Sequence, residues 1–104
     1  MDIFDERENA FEAKFAHDQE MQFKAEARAD RYLAIWAAGL LGKTGDEVEE
    51  YVREVIRADL KEPGHDDVIS KIVKDLEGLA SEEEIRAKRR EFLKKAKAEL
   101  LGEA

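Results

Sequence analysis

The chain has 104 residues, enough for one domain with one modest core. Charged residues make up 42% of it and the formal net charge is −8, which opposes a role in nucleic-acid binding, where a net basic face is needed. Cysteine is absent, so there is no disulfide framework and no thiolate metal site, and no apolar run approaches the roughly 20 residues of a membrane span.

The first stretch, MDIFDERENA, is acidic and lacks the apolar region of a secretory signal. Helical propensity then runs nearly unbroken from about Asp5 to Leu41, with one proline in the whole chain, Pro63, far downstream. Within this stretch the apolar content changes character. Four of the five phenylalanines, Phe4, Phe11, Phe15 and Phe23, precede Asp30, and Ile3 is the only Leu, Ile or Val among those residues. Phe4, Phe11 and Phe15 lie seven and four residues apart, so on a helix they fall within about 40° of each other as a narrow aromatic seam. From Ala25 onward a broader face forms, with Ala29, Tyr32, Leu33, Trp36 and Leu40. Trp36, sharing a face with Leu33 and Leu40, is expected in the core.

LLGKTGDE (40–47) is the first break: Gly42 and Gly45 stop one helix, and Thr44 with Glu47 has capping-box spacing for the next. The second helix carries Val48, Val52, Val55, Ile56 and Leu60 on one face. KEPGHDD (61–67) is a turn set by Pro63 and Gly64, in which Asp66 or Asp67 can cap the third helix, lined by Val68, Ile69, Ile72, Val73 and Leu76. Gly78 ends it, and Ser81 with Glu84 forms another capping box. The last helix places Ile85, Phe92, Leu93, Ala96 and Leu100 on one side. Its SEEE start suits the positive end of the helix dipole, and RAKRREFLKKAK (86–97) follows with seven bases and one acid. Those bases are either a solvated face or a patch for an acidic surface or for nucleotide phosphates.

The expected fold is all-α: a four-helix bundle with helices near 20–41, 46–60, 66–77 and 82–101, preceded by a flexible or helical N-terminal arm. Lengths support the division. The stretch from Asp5 to Leu41 measures roughly 55 Å as a helix, whereas the second helix measures about 22 Å, so the first 20 or so residues overhang. The domains are thus residues 1–19 as an arm and 20–104 as the bundle. The Phe4, Phe11 and Phe15 seam either folds back onto the bundle as ordinary core or, on a charged helix with almost no Leu, Ile or Val of its own, fits recognition in which a helix lies in a partner's groove.

Catalysis is not expected. The only Ser or Thr hydroxyls are Thr44, Ser70 and Ser81, and two of those suit caps. His17 and His65 have no second histidine at i+3 or i+4, so helical metal spacing is absent. His65-Asp66-Asp67 reads as a capping turn before it reads as a weak cation site, and His17 beside Asp18 as a surface pair. No phosphate-binding glycine loop is present.

Residues 4–28, FDERENAFEAKFAHDQEMQFKAEAR, resemble the zeta-type inhibitor subunit of the bacterial F-type ATP synthase. The stretch 4–18 is similar to that family's N-terminal signature, and WAAGLLGKTGDEVEEYVREVIRADLKEPGHDDV (36–68) to its central part. The likeness fades after about residue 78, where 86–97 is richer in charge. The resemblance implies an inhibitor, not an enzyme, whose N-terminal segment inserts at a catalytic α/β interface of the synthase head near the γ subunit and blocks ATP hydrolysis. Phe4, Arg7, Glu8, Phe11, Lys14, Phe15 and Asp18 match the signature and are the implied partner-binding residues. It also implies weak adenine-nucleotide binding in some members, no resident cofactor, and a cytoplasmic place peripheral to the membrane through the synthase head. The alternatives are a small helical nucleotide-binding sensor or an adaptor protein.

Overall fold

The computed structural model describes residues 19–59 and 66–103, with the side chains of 59, 66 and 103 excepted. These residues form four helices and no strand: α1 (Gln19–Leu40), α2 (Asp46–Asp59), α3 (Asp66–Asp75) and α4 (Glu82–Glu103). All four lie within a residue or two of their expected positions. Cross-helix pairs fix the directions. Along α1, Arg28, Tyr32 and Trp36 meet Glu99, Phe92 and Lys88 of α4 in reverse order, and Tyr51 and Glu54 of α2 meet Asp75 and Lys71 of α3 in reverse order. Thus α2 and α3 are antiparallel, and α1 and α4 are antiparallel along their length. Each of those two helices has 22 residues, about 33 Å; α2 and α3 have 14 and 10.

Backbone geometry explains the breaks. Gly42 takes φ +78. The Lys43 N–H donates to the Ala38 carbonyl at 3.0 Å and the Gly42 N–H to Gly39 at 3.1 Å, the paired bonds that close a helix on a left-handed glycine. At the start of α2, the N–H groups of Glu47 and Val48 donate to the carbonyls of Thr44 and Gly45, each at 3.2 Å. Thr44 therefore serves through its carbonyl, because α2 begins at Asp46, one residue later than a Thr44 hydroxyl cap requires. At α4 the expected cap forms: the Glu84 N–H donates to Ser81 Oγ at 3.1 Å. Gly78 also lies in the left-handed region, at φ +84. Pro63, Gly64 and His65 lie outside the described residues.

The core is an aliphatic cluster of Leu33, Ala34, Ala37 and Ala38 from α1, Tyr51, Val52 and Val55 from α2, Val68, Ile69, Ile72 and Leu76 from the α3 region, and Ile85 from α4. Among the described residues, a smaller cluster belongs to α1 and α4: Ala25, Ala96 and Leu100, with Met21, Leu93 and Leu101 packed against them. The expected stripes of α3 and α4 hold. That of α1 needs correction. Its buried face is Ala25, Ala29, Asp30, Leu33, Ala34, Ala37 and Ala38. Trp36 is only half-buried at the core's margin, and Leu40 is exposed. The reason is crowding: α1 is flanked by both α2 and α4, and small side chains let two neighbours approach one helix. On α2, Ile56 is exposed and the unexpected Tyr51 is buried; Leu60 lies outside the described residues.

Candidate functional site

All seven residues singled out for partner binding, Phe4, Arg7, Glu8, Phe11, Lys14, Phe15 and Asp18, lie outside the described residues, as does His17. The structure describes the platform from which that segment leaves.

The platform is the first half of α1 lying on the second half of α4. Ala25 is fully buried against Ala96 and Leu100. One heptad line of α1 runs through Phe23, Asp30 and Ala37. Ala37 and Asp30 are 0% and 2% exposed, yet Phe23 is 71% exposed. The line that faces the core thus leaves cover between Asp30 and Phe23. Continued in helical phase, Phe15 would be followed by Gln22 and Ala29. Gln22 donates to Glu26 at 3.1 Å on the way. A polar step therefore separates the phenylalanines of the N-terminal segment from the buried face of the bundle.

Polar contacts hold the platform. Arg89 Nε donates to Asp30 Oδ1 at 3.1 Å, with both side chains buried. Tyr32 Oη donates to Glu99 at 2.6 Å, and Arg28 stands 3.7 Å from the same carboxylate. The Tyr32 ring meets Phe92 at 5.9 Å, and Lys95 Nζ lies 4.8 Å above it. The sequence pattern does not reveal this network, because the bases of 86–97 read as a solvated face or an outward patch and Asp30 carries no assignment. The signal existed: Asp30 is in phase with Leu33, Ala34 and Ala37, and Arg89 with Ile85, Phe92, Leu93 and Ala96. The basic run 86–97 is therefore not one uniform face. Arg89 and Lys97 are buried, with stems that cover apolar surface, while Arg86, Arg90, Lys94 and Lys95 are exposed.

A second polar group ties α2 to α3. Tyr51 Oη donates to Asp75 at 2.8 Å, and Lys71 bridges Asp75 at 3.0 Å and Glu54 at 3.5 Å. Lys71 and Lys43 also lie over the Tyr51 ring. Burial, then the hydrogen bond and charge of Asp75, then the charge of Glu54 raise the Tyr51 phenol well above its ordinary range. This ring is structural: it is 3% exposed.

Among the described residues, no group of three or more His, Asp or Glu could hold a metal ion, and no helix is long and apolar enough to cross a membrane. Asp67, a candidate cap and weak cation ligand, keeps Oδ2 buried without a hydrogen-bond partner among the described residues.

With this geometry in place, likeness to known proteins becomes informative. The family model described as ATPase inhibitor subunit zeta matches residues 1–99, the N-terminal segment included. A solution NMR structure is 48% identical, with a TM-score of 0.71, the match covering 81% of this chain and 99% of that one. No curated protein matches.

Proposed function

The chain belongs to the family of the ATPase inhibitor subunit zeta, and from that premise we propose that it restrains ATP hydrolysis by an F-type ATP synthase through its N-terminal segment. The bundle is the carrier and residues 1–19 are the inhibitory arm. The arm enters a catalytic α/β interface of the synthase head beside the γ subunit and blocks rotation in the hydrolytic direction. Phe11 and Phe15 are the apolar anchors, with Phe4 extending their seam. Arg7, Glu8, Lys14 and Asp18 supply polar contacts around them. The protein acts by occupying a cleft and not by catalysing a reaction. It lies on the cytoplasmic side, held at the membrane only through the synthase head.

The observation that carries this reading is the family match over residues 1–99, which spans both arm and bundle. The platform supports it physically. The exposed Phe23 and the Gln22–Glu26 hydrogen bond near the start of α1 support a division close to Gln19. A fully buried phenylalanine contributes roughly 1.5–3 kcal/mol, so two anchors are enough to determine affinity after the ordering cost is met. Residues 1–20 hold seven acids and two bases, so a receiving cleft lined with basic groups would speed association at low salt.

The test is ATP hydrolysis by the isolated synthase head with added full-length chain. Wild type should inhibit, and Phe11→Ala or Phe15→Ala should each weaken inhibition about ten-fold with the bundle's stability unchanged. Equal inhibition by the variants would remove the phenylalanines from the recognition element. No inhibition by wild type would overturn the function itself.

A further inference from the structure

One strip of the surface pairs aromatic rings with cations along the α1–α4 seam, at the margin of the aliphatic core. Tyr32 and Trp36 are one turn apart on α1, both half-buried. Lys95 lies over the first ring at 4.8 Å and Lys88 over the second at 6.0 Å. Phe92 packs on Tyr32 from below, and Ile35, at 38% exposure, adds an uncovered aliphatic group beside them. Lys95 has no carboxylate partner among the described residues; Lys88 has only the exposed Glu91 at 3.5 Å. The strip is thus apolar at its floor, with Lys88 and Lys95 at its rim, Glu91 beside the first and Glu99 on the Tyr32 hydroxyl. Lys95 is its one cation without a carboxylate among the described residues, in a chain whose net charge is −8.

We propose that this strip is a docking site for the chain's own residues 1–18, which hold the arm against the bundle when no synthase is present. Three observations select that occupant. Charge is complementary: residues 1–18 carry Asp2, Asp5, Glu6, Glu8, Glu12 and Asp18 against Arg7 and Lys14, facing Lys88 and Lys95. Apolar content is complementary: Phe4, Phe11 and Phe15 supply three rings for a floor of Tyr32, Trp36 and Phe92. Reach is sufficient. Tyr32 lies 13 positions along α1 from Gln19, about 20 Å, and 18 residues extend to roughly 60 Å, which leaves room for a reversal of direction. A tethered segment experiences an effective concentration on the order of millimolar, so even weak contacts produce substantial occupancy.

The consequence is a competition. The rim of the strip imitates the basic cleft that the arm enters on its target, and the fraction of chains with the arm docked lowers apparent inhibitory affinity by the same fraction. This docking rests on the reading of residues 1–18 as a partner-binding segment, but its test involves no synthase, so either can fail alone.

The chain has no cysteine, so Asn9→Cys accepts a single nitroxide on the full-length protein. Amide spectra at low salt should then show residues 32–36 and 88–95 losing more than half their intensity against the reduced label. In 1 M salt, where the screening length is about 3 Å, and in the Lys88→Glu, Lys95→Glu double variant, the intensity should return. Broadening confined to residues next to Gln19 would overturn the docking, as would broadening indifferent to both salt and charge reversal. Mixing nitroxide-bearing chain at natural abundance with isotope-labelled chain lacking the nitroxide should broaden nothing. Equal broadening there would place the contact between two copies and overturn the intramolecular form.

Discussion

α1 and α4 meet in two ways along one seam. At the end where α2 and α3 also pack, the contact is aliphatic: Leu33, Ala37, Val52, Val55, Ile72 and Ile85 are buried against one another. At the other end the small cluster contains, among the described residues, only α1 and α4 residues, and its buried members are Ala25, Ala96 and Leu100. Two helices cannot enclose a third dimension, so large aliphatics there would stay wet on their flanks. There Leu93, Leu100, Leu101 and Met21 join the alanines, and the stems of Arg89 and Lys97 and polar pairs add to them. The half that carries the arm therefore combines a small apolar cluster with hydrogen bonds and charge, and the half that holds the fold relies on burial.

The largest expected effect tests the polar half. Arg89→Ala leaves Asp30 charged and buried without its guanidinium, and should cost about 3–5 kcal/mol in denaturant titration. Replacing both partners, Asp30→Leu with Arg89→Met, should lose far less, because the desolvation of both charges disappears with their attraction. A cheap single variant would show that water already reaches the pair, and the contrast between the halves would dissolve.

Ile72→Ala tests the aliphatic half. Its side chain is fully buried at the centre of the larger cluster, and truncation should cost about 2–5 kcal/mol. A value under about 1 kcal/mol would mean that α3 collapses onto the space and that the cluster is less rigid than its burial implies.

Tyr51→Phe should cost about 1 kcal/mol at neutral pH through the lost bond to Asp75. Its pH dependence is more telling. The folded phenol is held protonated above its ordinary pKa, so the folded state keeps a proton that the unfolded chain releases above about pH 10. Stability should be level below that pH and fall above it. The Phe variant should lose that contribution to alkaline unfolding, seen as a smaller loss of helical signal from pH 10 upward.

Phe23→Ala, in the polar half, should change stability by no more than about 0.5 kcal/mol, since the ring is 71% exposed. A cost near that of Ile72→Ala would show the ring covered in solution and sharpen the comparison by moving the boundary of the enclosed half toward Gln19.

Much of this bundle was legible in its sequence. The glycines at 42 and 78 and the Ser81 cap ended and began helices where punctuation said they would, because those features are local. The stripe of α3 was legible because that helix is short and its apolar residues are all branched aliphatics. The α1 face was not, because size was weighed as a sign of burial. Trp36 and Leu40 drew attention, while a helix between two neighbours buries its alanines. Asp30 and Arg89 were hidden for another reason: their partners are 59 positions apart, and no local pattern joins them. Their in-phase placement on each helix was the available clue. The partner-binding residues 4–18 were read from likeness and spacing, and lie outside the described residues.

The alanine face has a mechanical corollary. A row of methyl groups is a smooth rail, with few knobs to set where one helix stops along another. The Asp30–Arg89 pair supplies the stop. Sliding α1 along α4 by one turn, about 5.4 Å, would pull the carboxylate off the guanidinium while both stayed inside. The pair therefore works as a datum, fixing the height at which the chain emerges at Gln19. Whatever the arm reaches for, it is measured out from that point, and a buried charge pair sets the ruler's zero.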